Sequence, residues 1–242
     1  MGTGVNLIDM VKAAAKFVPP AEQVIEFMYE RKYYLTARLR GSFSQHGEDL
    51  FARDYFADRK QPGNYIDIGA GHPFIISNTY LLYTLGWRGI AVEPITRLIN
   101  KHRRYRPEDI QLQCAVSDSK GVLQFFEMDP YVLSTCDPKE VDRLVQSRAA
   151  VLLRKHEINA ITLAEICGKY LPSRQLNLLS IDTEGLELQV LRGLDWKAIQ
   201  PELIICEFST TTYSSDAVAS FLTDRGYRLL RALGCNSIWG RS

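Results

Sequence analysis

The chain lacks several features that would settle its class at once. Its five cysteines, Cys114, Cys136, Cys167, Cys206 and Cys235, are odd in number, scattered and never spaced Cys-x-x-Cys. That argues against a disulfide framework or a zinc cluster and fits a reducing, cytoplasmic setting. No apolar run approaches the roughly 18 to 20 residues that span a bilayer, and the N-terminus lacks the basic-then-apolar pattern of a signal peptide. The expectation is a soluble protein. An excess of either charge is missing too: 29 Lys and Arg stand against 28 Asp and Glu, leaving no overall field to attract nucleic acid. There is no internal repeat and no low-complexity stretch. A length of 242 residues suits one α/β domain with a modest extension.

The extension comes first, over residues 1–40. Leu7, Met10, Val11, Ala14 and Val18 recur at helical spacing, Pro19-Pro20 breaks the pattern, and Val24, Ile25, Phe27 and Met28 lead into Arg31-Lys32-Tyr33-Tyr34. Such an amphipathic pair of helices packs on the domain or on a second subunit as a homo-oligomer; the alternative is a peripheral membrane or partner contact. The domain proper runs from 41 to 242. Its first motif, Ser44-Gln45-His46-Gly47-Glu48-Asp49, fits a helix start, with a Ser cap and acids in the first turn. Its place just upstream of the first strand also lets Gln45 and Glu48 reach back over a bound ligand.

The organising stretch is Asn64-Tyr65-Ile66-Asp67-Ile68-Gly69-Ala70-Gly71. Alternating apolar residues form a short strand that ends in Gly-x-Gly, where backbone can turn sharply and approach a ligand. A second apolar run, Ile90-Ala91-Val92, stops at Glu93-Pro94. A carboxylate at the end of that strand is where open α/β sheets grip a ribose. A dinucleotide fingerprint would need a third glycine; Phe74 stands there, preceded by His72-Pro73. Asp67 inside the first strand instead suits S-adenosylmethionine (SAM), whose ammonium a carboxylate can meet. A strand from Ile110 to Val116 leads to Ser117-Asp118, so Asp67, Glu93 and Asp118 would follow one another along one crevice.

Residues 129–156 break the strand–helix beat. Asp129-Pro130-Tyr131 and the segment from Leu133 to Pro138 precede a charged helical stretch to Arg154, which reads as an inserted lid that carries substrate specificity, or else a surface excursion. The beat then resumes with a helix from Ile161 to Tyr170, a strand from Leu176 to Ile181, Asp182-Thr183-Glu184-Gly185 and an almost fully apolar strand from Pro201 to Glu207. Six or seven strands with alternating helices make a doubly wound, mostly parallel sheet.

Five motifs taken in order, Ser44-Gln45-x-Gly47-Glu48-Asp49, Tyr65 to Pro73, Gly86-Trp87-x-Gly89-Ile90-x-Val92-Glu93-Pro94, Ile161-Thr162-Leu163 and Ile181-Asp182-x-Glu184-Gly185-x-Glu187, resemble the FkbM family of SAM-dependent methyltransferases. The resemblance covers residues 43–209. It implies a class I methyltransferase (Rossmann-like) fold and methyl transfer to an oxygen, commonly a hydroxyl of a sugar, glycan or polyketide-type natural product. Gln45, Glu48, Asp67, Gly69, Gly71, Glu93, Ser117 and Asp118 are then the cofactor-binding candidates.

A neutral hydroxyl is a poor nucleophile and needs a base within reach, or a metal that lowers its pKa. Asp182 and Glu184 leave the end of a central strand beside the crevice; they could accept the proton or, with Glu207, help bind a hard cation such as Mg through oxygen ligands. The plainer reading has Asp182-Thr183-Glu184 capping the next helix. His72, His46 and His156 are further candidate bases. Two other classes share the sheet: a nicotinamide-dependent oxidoreductase or epimerase, opposed by the missing glycine and the lack of a Tyr-x-x-x-Lys pair, and a non-catalytic nucleoside-binding scaffold.

Overall fold

The computed structural model describes residues 20–171, 173, 175–207 and 214–241; the helix expected over Leu7 to Val18 lies outside them. The chain forms two units that meet at Gly41 and Ser42. In the first, helix α1 (Ala21–Arg40) starts after Pro20 and ends where Gly41, at φ 76°, folds its N–H back onto the carbonyls of Ala37 and Arg38. A left-handed residue there suits glycine, which has no Cβ to clash.

The second unit opens with α2 (Glu48–Tyr55), β1 (Asn64–Ile68), α3 (Tyr80–Thr84), β2 (Arg88–Val92), α4 (Thr96–Tyr105) and β3 (Ile110–Leu112). The middle is β4 (Ala115–Ser117), β5 (Gly121–Asp129), a 3-10 turn over Tyr131–Leu133, α5 (Pro138–Gln146), β6 (Val151–Thr162) and α6 (Leu163–Tyr170). It closes with β7 (Leu178–Ile181), α7 (Glu187–Arg192), β8 (Leu203–Glu207), α8 (Ser214–Thr223), β9 (Tyr227–Leu233) and β10 (Asn236–Arg241). Seven strands form the main sheet in the order β3-β2-β1-β7-β8-β10-β9. Its first five strands run parallel, and β10 pairs antiparallel with both β8 and β9.

Both faces of this sheet are covered, and the strands alternate between them. Ile66 and Ile68 of β1, with Ile204 and Cys206 of β8, join Leu163, Ile166, Val190 and Leu222 in one core. Tyr65, Leu203 and Ile205 point the other way, against Ala52, Phe56, Leu82 and Trp87. That is why β8 is almost wholly apolar.

The middle of the chain departs from expectation. The strand read over Ile110 to Val116 is two strands: β3 ends the main sheet at Leu112, and β4 begins a second sheet of order β4-β6-β5. The helical stretch expected to Arg154 stops at Gln146, and Val151–Thr162 runs as a strand antiparallel to β5. Its β-branched and apolar start outweighs the helix-favouring charges, because pairing with β5 supplies the partner that a local reading cannot see. Thr162 closes β6 and caps α6 through a reciprocal pair with Glu165. Among the described residues no helix is long and apolar enough to cross a membrane.

Candidate functional site

At the carboxyl ends of β1 and β2 the chain makes a turn that only glycine tolerates. Gly69 and Gly71 have φ of 72° and 53°, and a Cβ on Gly69 would overlap the carbonyl oxygen of Asp182. Val92 O accepts from Gly69 N at 3.0 Å and Ala70 N at 3.1 Å. Gly71 is held at both ends of its backbone. Its N–H donates to Glu93 Oε2 at 2.8 Å, and its carbonyl lies 3.1 Å from His102 Nε2. A carbonyl can only accept, so His102 presents Nε2–H; its Nδ1 is buried with no partner. Burial, aided by Arg106, pushes the imidazole pKa down to about 3, which keeps the ring neutral. The second Glu93 oxygen accepts from Ile95 N at 2.7 Å, and burial lifts this carboxyl to about 7 against those two bonds.

The turn opens onto a cavity of about 290 Å³. One side is apolar, with Ile95, Leu98, Phe125 and Tyr131 packed together. The other carries Gln45, Asp182, Glu184, Glu207 and Cys235. Among the described residues its lining includes no Lys or Arg. Residues 131–136 form part of the wall.

The acidic side is built from two strand ends. Asp182 follows β7, where its N–H donates to Ile68 O at 2.9 Å, and Glu207 is the last residue of β8. Glu184 sits in the left-handed region at φ 52°, which throws its side chain back toward the other two. Oxygens of all three lie within 4.8 Å of one another. Neither Asp182 nor Glu184 caps α7, which has no side-chain cap bond. The turn is instead gathered by Glu187, whose Oε1 accepts from Thr183 N, Thr183 Oγ1 and Gly185 N at 3.1, 2.9 and 3.0 Å. Burial raises Asp182 to about 7, with the hydrogen bond from Glu207 pulling the other way. Burial and then the Asp182 charge raise Glu184 to about 8. Glu207 is driven higher still by burial and by both neighbours.

The family profile described as Methyltransferase FkbM domain matches residues 67–229. The chain belongs to the FkbM methyltransferase family. It is a SAM-dependent methyltransferase with the class I fold, and the nicotinamide and scaffold readings fall away. Among curated proteins, none matches it in sequence. Similar solved structures include a TehB-like SAM-dependent methyltransferase from Corynebacterium glutamicum, at 10% identity and TM-score 0.41, covering 91% of this chain and 100% of that one. The METTL16 MTase domain is 14% identical with a TM-score of 0.43, over 79% of this chain and 63% of that one. A SAM-dependent methyltransferase from Leishmania major is 11% identical with a TM-score of 0.38, over 80% and 72%.

The residues of this FkbM methyltransferase fit SAM: a glycine turn for close backbone approach, a strand-end carboxyl and an apolar side for a flat ring. Of the residues picked from sequence, Gln45, Gly69, Gly71, His72, Glu93, Asp182, Glu184 and Glu207 line the one cavity. Glu48, Asp67, Ser117 and Asp118 do not. Glu48 is fully buried and accepts from His46 N and Asn236 Nδ2, both at 2.8 Å. Asp67 accepts from Thr79 Oγ1 at 2.5 Å and lies 3.9 Å from Arg106 Nη1. Ser117 is buried in β4, and Asp118 is exposed on the turn beyond it, because the chain leaves the main sheet before reaching them. His72 Nδ1 already receives Phe74 N and Ile75 N at 3.4 and 3.3 Å. His156 stands on β6 behind Phe125, ring centroids 5.5 Å apart.

A second buried network lies just past α4. Arg106 is fully buried, donating to Asp109 Oδ2, Tyr65 Oη and Thr79 Oγ1 at 2.8, 2.7 and 3.0 Å. His102 and Thr135 were missed from sequence. A histidine within a basic helix and a threonine within a loop look ordinary until the fold brings them to Gly71 and Glu184.

Proposed function

We propose that this methyltransferase transfers its methyl group to a hydroxyl oxygen of a neutral, hydroxyl-rich acceptor, a sugar, glycan or natural product, with Asp182 and Glu184 handling the acceptor proton. The observation that carries the reading is the acidic trio on the cavity wall, two of whose carboxyls titrate at about 7 and 8. A base is most effective when its pKa lies near the working pH. SAM supplies an electrophilic methyl carbon on a sulfonium. When bound, SAM would give that methyl carbon to the acceptor oxygen, the electron pair of the broken S–C bond staying with sulfur, and Asp182 or Glu184 would take up the hydroxyl proton. Glu207, whose carboxyl is raised by burial and by both neighbours, steadies the Asp182 charge through the hydrogen bond between them. Among the described residues, a wall of acids without Lys or Arg repels phosphorylated or carboxylated acceptors at the reacting atom and favours neutral ones.

The test begins with labelled SAM and a panel of free sugars, nucleotide sugars and glycolipids. On the acceptor found, Asp182→Asn and Glu184→Gln should each lower turnover by around a hundredfold, the scale of losing a general base. SAM affinity should change little. Normal turnover in both variants would overturn the assignment. The same three carboxyls could hold a hard cation, so EDTA separates the versions: proton sharing predicts unchanged activity, and a loss restored by Mg would transfer the role to a cation.

A further inference from the structure

We propose that Thr135 is a positioning residue that aims the Glu184 carboxyl into the cavity, an inference that rests on the proposed role of Glu184. Glu184 holds a left-handed backbone at φ 52° and is followed by Gly185 at φ 115°. A side-chain-bearing residue keeps that conformation only where surrounding contacts fix it. The contact is the Thr135 hydroxyl, which donates to Glu184 O at 2.7 Å and accepts from Asp137 N at 2.9 Å. Because Glu184 O can only accept and Asp137 N can only donate, the hydroxyl has one orientation, and both bonds are made at once.

Thr135 is itself anchored. Its N–H and carbonyl exchange bonds with Phe126 of β5 at 3.1 and 2.9 Å, and its side chain is 1% exposed. Asp137 caps α5 by accepting from Lys139 N at 2.9 Å, and it packs over Gly185, where an added Cβ would lie 3.7 Å from its carboxyl. The peptide between Glu184 and Gly185 is therefore clamped from the segment 131–137, of which residues 131–136 line the cavity. Fixing that peptide fixes the direction of the Glu184 Cα–Cβ bond, and with it the approach of the carboxyl to Asp182 and Glu207. That part of the cavity wall and the Glu184 carboxyl are thus coupled through one hydroxyl.

Thr135→Val keeps the shape and removes the donor. It should lower kcat by about ten- to a hundredfold, the scale of a misplaced catalytic group, with the SAM dissociation constant within about twofold of wild type. Thr135→Ser should restore kcat; if Thr135→Val does not fold, Thr135→Ala carries the same expectation. Glu184→Gln is the control for the underlying reading: full activity there removes the role of Glu184 itself, whatever Thr135 does. If Glu184→Gln is impaired, Thr135→Val should add nothing in its background, since both act through one carboxyl. An unchanged kcat in Thr135→Val, a fully additive loss in the double variant, or a parallel loss of SAM affinity would each overturn the proposal.

Discussion

The two sides of the cavity are made by different physics. The glycine side is backbone: Gly69, Ala70 and Gly71 take their geometry from Val92 O, Glu93 and His102, and nothing there depends on a proton moving between pH 6 and 8 except the Glu93 carboxyl at about 7. The acidic side is three crowded carboxyls whose charge is set by burial and by one another. A steric change should therefore disable the first, and a change of charge the second. On the function proposed above, that difference separates holding the donor from activating the acceptor.

The sharpest break of the comparison is Gly69→Ala. Its Cβ would overlap the Asp182 carbonyl, and the φ of 72° disfavours any side chain. SAM binding by calorimetry should be abolished. Retained affinity would mean that the turn can rearrange and that close packing does not define the donor side. Glu93→Ala comes next: removing the acceptor for Gly71 N and Ile95 N, along with the strand-end contact to SAM that we propose for it, should weaken binding by about 1–3 kcal/mol. Unchanged affinity would detach Glu93 from the donor.

The smallest effect is on stability against pH. Folding raises Asp182 from 3.8 to about 7 and Glu184 from 4.5 to about 8, so the folded protein keeps protons that the unfolded chain has already released. Stability then falls as pH rises through those folded values. His102, pushed down to about 3, acts in the opposite sense, but only below its ordinary value of 6.5. Between pH 6.5 and 8.5 the raised carboxyls, Glu93 and Glu207 with Asp182 and Glu184, set the slope. The melting temperature of the SAM-free protein should decline across that window, and less steeply in Asp182→Asn. A flat or rising profile in the wild type would place the trio in water.

The same contrast explains what was legible in the sequence. Local pattern was enough for the glycine side: a strand ending in Gly69-Ala70-Gly71, and Glu93 at the next strand end. The carboxyls of the other side were legible individually as strand-end acids, but their mutual distance depends on β7 and β8 being neighbours. Asp67 and Asp118 show the limit from opposite directions. Asp67 ends in a buried network with Thr79 and Arg106 because its strand faces inward there, whereas Asp118 is exposed because the chain has by then entered the second sheet. That sheet depends on β5 and β6 pairing across an intervening helix, a contact that no local periodicity encodes.

The central claim is that the acids serve the acceptor and the glycine turn serves the donor. The measurement that tests it most directly is single-turnover transfer of labelled methyl from saturating SAM to the acceptor found in the screen, in wild type and in Asp182→Asn/Glu184→Gln, with SAM affinity measured on the same samples. The account predicts a loss of at least about a hundredfold in the transfer rate, with SAM affinity within about threefold of wild type. Transfer at the wild-type rate, or loss of SAM binding in step with transfer, would contradict it.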